Sequence, residues 1–253
     1  MGTLSIVATP IGNLEDITLR ALRVLRECDV VYAEDTRVVS KLLTHYEISK
    51  PLQRLDAATE SKKAEEVIER LEAGEKVVFV SDAGTPGISD PGARLVKRVR
   101  EYIGGGAEAN SFPLPPVVRV GKEFAPAPHG APITIEAIPG ASALTAALSI
   151  AGLEDDHFQF LGFLSHKKGR QTAVREIAAS EIPTVLYESP HRIIKLLNEL
   201  AAVGIEKVSI AREITKMHEE FITGEPNVLA EDLEKRGAIR GEFVVIVLPN
   251  DEK

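Results

Sequence analysis

The sequence feature that most restricts the fold is the apolar run at residues 77–80, which ends in the loop 81–87. Four apolar residues in succession are typical of a strand that is buried on both faces, as in a parallel sheet covered by helices. The loop contains two glycines, a proline and the polar side chains of Asp82 and Thr85. Since ligands of α/β proteins bind where parallel strands end, the loop indicates either a binding site or an ordinary strand-to-helix turn.

Two further loops share this composition. Residues 10–13 follow the apolar run 4–8, and residues 139–143 follow the strand-like run 133–138. None of the three loops contains the Gly-x-x-x-x-Gly-Lys-Ser/Thr of a P-loop or the Gly-x-Gly-x-x-Gly of a dinucleotide site. The loops therefore favour a small polar ligand without a triphosphate, bound in the cleft of a two-domain α/β enzyme.

Apolar runs alternate with helical patterns along the chain, which predicts two α/β domains with largely parallel sheets. We place the domains at residues 1–152 and 153–253, because acidic residues interrupt the pattern near their junction. Residues 104–132 lack periodicity, and this insertion is either a functional flap or disordered. Helix starts are predicted at Asp16, at Asp90 with Pro91, and at Pro190.

Charge and composition limit the class of protein. A formal net charge of −8 argues against a protein that coats nucleic acid with a generally basic surface. The basic run 166–170 could still form a local RNA-facing surface or a solvated helix face. The single cysteine, Cys28, fits a reducing compartment, so we expect a cytoplasmic protein. We expect no signal peptide, no membrane span and no metal site, because the sequence lacks the corresponding patterns.

Several motifs resemble, in order and over nearly the whole chain, one known family. The matching segments are residues 9–14, 16–22, 33–37, 81–92, 187–192, 211–220 and 241–244. Together they resemble the ribosomal RNA small subunit methyltransferase I family, which belongs to the tetrapyrrole methylase superfamily. Each motif alone is weak evidence, whereas their combination in this order is specific.

The resemblance implies a homodimeric enzyme that binds S-adenosylmethionine in a cleft between its two domains. It also implies methylation of the ribose 2′-hydroxyl of a cytidine in 16S ribosomal RNA. Carried over by motif, the cofactor contacts are Pro10, Ile11, Asp82, Thr85, Ser142, Ala143, Tyr187, Ala211 and Glu242.

A ribose hydroxyl must lose its proton as it attacks a methyl group, so the reaction calls for a general base. Asp35, Glu188 and Glu213 are candidate bases, because each follows a predicted strand within a matching motif. Cations beside them could anchor phosphates, and these are Arg37, Arg192, Arg212 and Lys216. A structural ion pair is the alternative interpretation for each charged residue. We predict catalytic roles for Asp35, Arg37, Glu188 and Glu213.

The chain departs from the family pattern at two places. Residues 55–60 read Leu-Asp-Ala-Ala-Thr-Glu where the family carries Leu-His-x-His-Asn-Glu, so only the leucine and Glu60 match. The insertion 104–132 replaces a short turn and brings Arg119 and Lys122 as possible RNA contacts. Two other functions therefore stay open: methylation of a small molecule such as a tetrapyrrole, and a non-catalytic RNA-binding role in ribosome assembly.

Overall fold

The computed structural model describes residues 1–104, 132–153 and 156–250. The chain divides into two compact units, Met1–Ser142 and Ala143–Lys253. The sequence-based division falls later, after residue 152, and the helix between the two positions packs on a strand of the second unit. Most of the predicted insertion, residues 105–131, lies outside the described residues.

The first unit alternates strands and helices. Its strands are β1 (Gly2–Val7), β2 (Val30–Ala33), β3 (Leu52–Arg54), β4 (Lys76–Val80) and β5 (Ile133–Ile138). Its helices are α1 (Leu19–Glu27), α2 (Thr36–His45), α3 (Glu60–Glu72) and α4 (Ala93–Ile103). The strands form one sheet in the order β3-β2-β4-β1-β5, and every pairing is parallel. The predicted parallel sheet is confirmed for this unit.

The unbroken apolar run 77–80 lies in strand β4, and helices cover both faces of the sheet there. Val77 and Phe79 pack with α3 and α4 on one face of the sheet. Val78 and Val80 pack with α1 and α2 on the other face. Because side chains alternate between the faces of a strand, both sets must be apolar when helices cover both sides.

Helix α1 begins two residues later than predicted. Thr18 is its N-cap, and the hydroxyl of Thr18 accepts a hydrogen bond from the backbone N–H of Ala21 at 3.1 Å. Asp16 instead lies in a short 3₁₀ turn, Leu14–Asp16. The prediction at Asp16 was wrong because either side chain can cap a helix, and only the backbone path selects between them.

Helix α4 is capped from a distant part of the chain. Its N-cap is Gly92 rather than Asp90. The buried carboxylate of Glu60 accepts hydrogen bonds from the backbone N–H groups of Gly92, at 3.0 Å, and Leu95, at 2.9 Å. Glu60, the glutamate that survives in the altered motif 55–60, therefore joins α3 to α4.

The second unit begins with α5 (Ala143–Ala151). Its strands are β6 (Gln159–Phe163), β7 (Thr184–Glu188), β8 (Val208–Arg212), β9 (Glu220–Gly224) and β10 (Phe243–Val247). Its other helices are α6 (Arg170–Ala178), α7 (Ile193–Ala202) and α8 (Pro226–Lys235). The sequence predicted that helix α7 starts at Pro190. This prediction was wrong, because the N-cap of the helix is Arg192.

The sheet of the second unit is mixed, so the prediction of largely parallel sheets was wrong there. The order is β6-β7-β10-β8-β9, and only β6 and β7 pair in parallel. The short loop between β8 and β9 cannot hold the crossover that a parallel pairing requires, so β9 returns antiparallel. Strand β10 then enters antiparallel between β7 and β8. Sequence reading missed β9 and α8, as it missed α2 and β3.

Helices cover one face of this second sheet. Helices α6, α7 and α8 contribute apolar residues such as Val174, Leu196 and Leu233 to a buried cluster. Leu186, Ile210 and Val245 of the sheet pack against them, and α5 packs on β10. A rigid sheet of this kind holds its strand ends in fixed positions, which is what a site at those ends requires.

No helix within the described ranges is long and apolar enough to cross a bilayer. The longest helix in these ranges, α3, has 13 residues. At about 1.5 Å per residue it spans about 20 Å, which is short of the ~30 Å hydrocarbon core.

Candidate active site

The three glycine-bearing loops of the first unit lie together at the carboxyl edge of its sheet. Thr9 and Gly84 exchange backbone hydrogen bonds of 2.9 and 3.0 Å, which joins the loops after β1 and β4. The hydroxyl of Thr85 donates to the carbonyl of Ala141 at 3.1 Å, which joins the loops after β4 and β5. Parallel strands bring these loops to one edge because all their carboxyl ends point the same way.

Gly84 is the position where this edge needs a glycine. Its φ of 77° lies in the left-handed region, and a Cβ there would lie 3.2 Å from Cγ2 of Ile11. The hydroxyl of the neighbouring Thr9 is buried without a hydrogen-bond partner in the described part of the chain. An orphaned buried hydroxyl is costly, so it is a position where a bound ligand could supply the missing partner.

Asp35 connects two strand ends and holds a cation. Its backbone N–H donates to Oδ1 of Asp82 at 2.8 Å, so the loop after β4 is tied to the end of β2. Its own carboxylate caps α2 by accepting from the backbone N–H of Arg37 at 2.9 Å, and it also accepts from Nε of Arg37 at 2.9 Å. The Arg37 guanidinium holds the pKa of Asp35 well below its usual range. Asp35 is therefore a weak base.

Arg37 remains available to a ligand although it is paired. Its side chain is 86% exposed, while that of Asp35 is 27% exposed. The carboxylate fixes one edge of the guanidinium and leaves the other donors facing solvent. This is the geometry of an anchored cation that can bind a phosphate.

Glu34 is a functional candidate that sequence reasoning missed. It is half-buried at the end of β2, and no cation pairs with it in the described ranges. Burial, followed by the charges of Asp82, Asp90 and Asp56, raises its pKa to about 6. No group of three or more potential metal ligands occurs in the described ranges, so this cluster is not assigned to a cation. The available sequence signal was its position, directly after the buried strand and beside Asp35.

In the second unit, Tyr187 joins the end of β7 to the start of α5. Its hydroxyl accepts a hydrogen bond from the backbone N–H of Leu144 at 3.0 Å, next to Ala143. Two aromatic rings pack edge-on against it, Phe160 at 5.0 Å and Phe163 at 5.6 Å between ring centroids. Tyr187 is therefore held rigidly at the position where the motif places a cofactor contact.

Ala211 lies two strands away from Tyr187. It is buried in β8 and pairs with Val244 of β10, which itself pairs with Tyr187. A buried alanine offers a small side chain and backbone groups rather than a charge, which is compatible with a close approach of a ligand.

Glu188 is enclosed by arginines. Its side chain has no exposed surface, and its carboxylate lies 2.7 Å from the guanidinium of Arg192 and 3.6 Å from that of Arg170. Arg170 also donates to Glu199 at 2.7 Å. These contacts join β7, α6 and α7. The side chain has no exposed surface, so these contacts favour the structural interpretation, and a catalytic role for Glu188 stays a prediction.

Glu213 is positioned by Gly241 and Lys216. A Cβ on Gly241 would lie 2.0 Å from Oε1 of Glu213, and the φ of Gly241 is 84°. The same oxygen accepts from Nζ of Lys216 at 2.7 Å, which also lies 4.0 Å from the carboxylate of Glu242. The backbone N–H of Glu213 donates to the carbonyl of Glu242 at 3.1 Å. Glu213 is thus a paired carboxylate held over a glycine.

The predicted site residues fall into two sets, one in each unit. The first unit holds Pro10, Ile11, Asp35, Arg37, Asp82, Thr85 and Ser142. The second unit holds Ala143, Tyr187, Glu188, Ala211, Glu213 and Glu242. Within the first unit, hydrogen bonds link Asp82 to Asp35 and Thr85 to the segment just before Ser142.

Comparison with known proteins identifies the family. The family model described as Tetrapyrrole (Corrin/Porphyrin) Methylases matches residues 3–105 and 118–227. These segments include most of both units and all the predicted site residues except Glu242.

Curated relatives match over nearly the full length. A protein of Thermotoga maritima named Ribosomal RNA small subunit methyltransferase I is 38% identical over 249 residues, with 98% of each chain covered. A protein of Neisseria meningitidis serogroup B with the same name is 41% identical over 256 residues, with 100% of this chain and 78% of the relative covered.

Solved structures share the fold at low sequence identity. A diphthine synthase superposes with a TM-score of 0.68 at 17% identity, covering 98% of this chain and 90% of that one. A cobalt precorrin-4 methyltransferase of cobalamin biosynthesis superposes with a TM-score of 0.63 at 16% identity, covering 97% of this chain and 94% of that one. The chain therefore belongs to the tetrapyrrole methylase family, in its ribosomal RNA small subunit methyltransferase I branch, and is a methyltransferase that uses S-adenosylmethionine.

Proposed function

We propose that this enzyme methylates the ribose 2′-hydroxyl of a cytidine in the 16S RNA of the small ribosomal subunit. The observation that carries the proposal is the exposed Arg37, anchored on Asp35 and tied through Asp82 to the glycine-bearing loops. This arrangement sets a phosphate-binding cation beside the loops proposed to hold the cofactor. The printed names of the curated relatives support the same substrate.

The residues at the edge of the first sheet fit a sulfonium cofactor. The three loops contain no lysine or arginine that would repel a positive sulfur, and they offer small side chains next to the orphaned hydroxyl of Thr9. When bound, S-adenosylmethionine supplies an electrophilic methyl group. We propose the following contacts for it: Pro10, Ile11, Asp82, Thr85, Ser142, Ala143, Tyr187, Ala211 and Glu242.

We further propose Glu34 as the proton acceptor, in preference to Asp35. A carboxyl group with a pKa of about 6 is ionised above that pH, yet it is a stronger base than an ordinary carboxylate. Its carboxylate would take the proton of the 2′-hydroxyl as that oxygen bonds to the methyl carbon and the bond from that carbon to sulfur breaks, with S-adenosylhomocysteine as the leaving group. Asp35 would hold Arg37 in position, and Glu213 remains the second candidate base.

Arg37 is the proposed phosphate anchor. The other three cations singled out from the sequence are also paired with carboxylates, but their side chains are much less exposed than that of Arg37: 16% for Arg192, 13% for Arg212 and 31% for Lys216. An arginine with free guanidinium N–H donors can form a bidentate hydrogen bond with a phosphate. We also propose that the enzyme is a cytoplasmic homodimer, in keeping with the family resemblance and the single buried cysteine.

The test is methyl transfer to small ribosomal subunits purified from cells that lack this gene. Labelled S-adenosylmethionine is supplied, and the methylated riboses are mapped. We expect label at the 2′-oxygen of one cytidine of 16S RNA in subunits from the deletion strain. Subunits from wild-type cells are the control, because their target is already methylated and should take up no label.

Other outcomes would replace the proposal. Label transferred only to a tetrapyrrole would assign a small-molecule substrate. Binding of the subunit without any methyl transfer would assign a non-catalytic role in ribosome assembly. Label on a base instead of a ribose would keep the RNA substrate and overturn the 2′-hydroxyl acceptor.

A further inference from the structure

An exposed aromatic ring stands at the carboxyl end of β6. Phe163, the last residue of the strand, is 49% exposed. It pairs with Tyr187 of β7 in the parallel register, and its ring lies edge-on to that of Tyr187. About half of the Phe163 surface is open to solvent. Covering this apolar surface with a flat apolar partner would be favourable, because it would remove the surface from water.

The ring is held on a rigid support. The guanidinium carbon of Arg192 lies 6.0 Å from the centroid of Phe163. Arg192 is itself fixed by Glu188 at 2.7 Å and by the carbonyl of Leu164 at 3.1 Å. The ring therefore lies between Tyr187 and an arginine that is itself fixed by an ion pair and a hydrogen bond.

A turn with free cations follows the ring directly. The hydroxyl of Ser165 donates to the carbonyl of Lys168 at 2.6 Å and closes the turn. His166, Lys167 and Lys168 are exposed, and neither lysine forms an ion pair with any residue that the structure describes. Arg170, the last basic residue of this run, differs because it is buried against Glu188 and Glu199. Of the basic residues in the run 166–170, Lys167 and Lys168 are therefore the candidates for contact with RNA.

We propose that Phe163 is a stacking platform for an unpaired nucleobase of the substrate RNA, with Lys167 and Lys168 binding the adjacent phosphates. Every base offers a π-face, and base–aromatic stacking next to cations is how proteins bind single-stranded RNA. The platform would hold an unpaired nucleotide at or next to the target ribose. The inference rests on the proposed RNA substrate.

The charges of Lys167 and Lys168 favour RNA over the cofactor as the ligand that stacks on Phe163. S-adenosylmethionine also contains a base, adenine, but it carries no phosphate and has a positive sulfur. The two lysines in the turn that follows the ring would repel a positive sulfur, whereas they would attract the phosphates of a polyanion. Hence the platform is assigned to the RNA.

The experiment compares three substitutions at one position. Phe163→Leu keeps an apolar side chain without a π-face, Phe163→Ala removes the side chain, and Phe163→Trp restores stacking. Phe158→Ala is the matched control, because Phe158 is an exposed aromatic residue just before the opposite end of β6. Steady-state KM is measured with unmethylated small subunits, and cofactor affinity is measured by calorimetry.

We expect Phe163→Leu and Phe163→Ala to raise the KM for subunits by about 5- to 150-fold, the range expected when one base stack is removed. Phe163→Trp should keep a KM near the wild-type value. Cofactor affinity should stay unchanged in Phe163→Leu and Phe163→Trp, which keep a bulky apolar side chain packed against Tyr187. Replacing Lys167 and Lys168 by Ala should reduce the slope of log affinity against log salt by about 0.7 for each phosphate that is no longer neutralised.

Three results would overturn the inference. A normal KM in Phe163→Leu, with methylation intact in the wild-type enzyme, would leave the proposed function standing and remove the platform. A loss of cofactor affinity equal to the loss for RNA would assign the ring to adenine. Absence of RNA methylation in the wild-type enzyme would overturn the proposed function and this inference together.

Discussion

The carboxylate of Asp82 accepts a hydrogen bond from the backbone N–H of Asp35 at 2.8 Å, although 47 residues separate the two along the chain. The loop proposed to bind the cofactor is thereby coupled to the segment that carries Glu34 and Arg37. A change in either loop is transmitted to the other through this bond. Within the first unit, the relationship makes the proposed methyl-donor contacts and the proposed RNA contacts parts of one edge of one sheet.

Replacing Asp82 by Ala should weaken cofactor binding by about 10-fold or more, because a hydrogen bond to a charged group is worth about 1.5–3 kcal/mol. Calorimetry with S-adenosylmethionine measures the effect. Asp29→Ala is the control: Asp29 also accepts a backbone N–H, from Lys76 at 2.7 Å, but at the opposite edge of the same sheet. Its loss should lower stability and leave the affinity unchanged. Equal affinities for wild type and Asp82→Ala would remove Asp82 from the site.

Replacing Arg37 by Ala should impair RNA methylation while cofactor affinity stays nearly intact. The expected change is a higher KM for subunits and a weaker salt dependence of binding, since one phosphate is no longer neutralised. Arg23→Ala serves as the control, because Arg23 is an exposed helical arginine that pairs with a carboxylate, Glu27. Parallel losses of RNA methylation and cofactor affinity would show that Arg37 only stabilises the loop.

Replacing Glu34 by Gln should slow methyl transfer by about 10²–10⁴-fold, the usual contribution of a general base. In the wild-type enzyme, protonation of Glu34 should lower the rate as pH falls through about 6. The Gln variant should lose this acid limb because an amide does not titrate. Glu69→Gln, a change at an exposed position of α3, is the control. An unchanged pH profile in Glu34→Gln would exclude Glu34 as the base.

Glu34→Gln should also raise the free energy of unfolding at neutral pH. Folding raises the pKa of Glu34 from 4.5 to about 6, so the folded state binds its proton more tightly than the unfolded state does. This tighter proton binding adds to the free energy of unfolding. The added stability is fully present below pH 4.5 and is lost as pH rises through 6. We expect Glu34→Gln to gain about 1 kcal/mol at pH 7.5, with solvent screening taken into account, and nothing at pH 4. Urea unfolding at both pH values measures the gain, and equal stability at pH 7.5 would contradict it.

Replacing Glu188 by Gln should destabilise the protein by about 3–5 kcal/mol, because it leaves the buried guanidinium of Arg170 without its full charge balance. Chemical unfolding gives the magnitude. Turnover measured where the variant is still folded should be close to normal. A variant of normal stability that has lost turnover would instead support the catalytic role predicted for Glu188.

Gly241→Ala should displace Glu213, since the new methyl group would occupy the position of its carboxylate. In a Glu213→Ala background the same change should cost less, by about 1 kcal/mol, because the clash has gone and only the strain of a positive φ remains. A double-mutant cycle of unfolding free energies measures this coupling. Additive effects would show that Glu213 is not held by Gly241.

Much of the site could be read from local sequence. The loops at Pro10, Asp82 and Pro139 were recognised because each follows an apolar strand and contains glycine. Their meeting at one edge followed from the predicted parallel sheet of the first unit. Glu34 was missed because its raised pKa depends first on burial in the fold and then on the charges of Asp82, Asp90 and Asp56, which are distant in sequence.

The sequence by itself determined the order of most strands and helices, the three loops and the family, because these depend on apolar spacing and on short motifs. Only the tertiary structure decided that the second sheet is mixed, that Glu188 is buried, and that Glu34 rather than Asp35 has a raised pKa. The physical reason is that strand direction, burial and pKa depend on groups brought close by folding. The spacing of residues along the chain does not specify those distances.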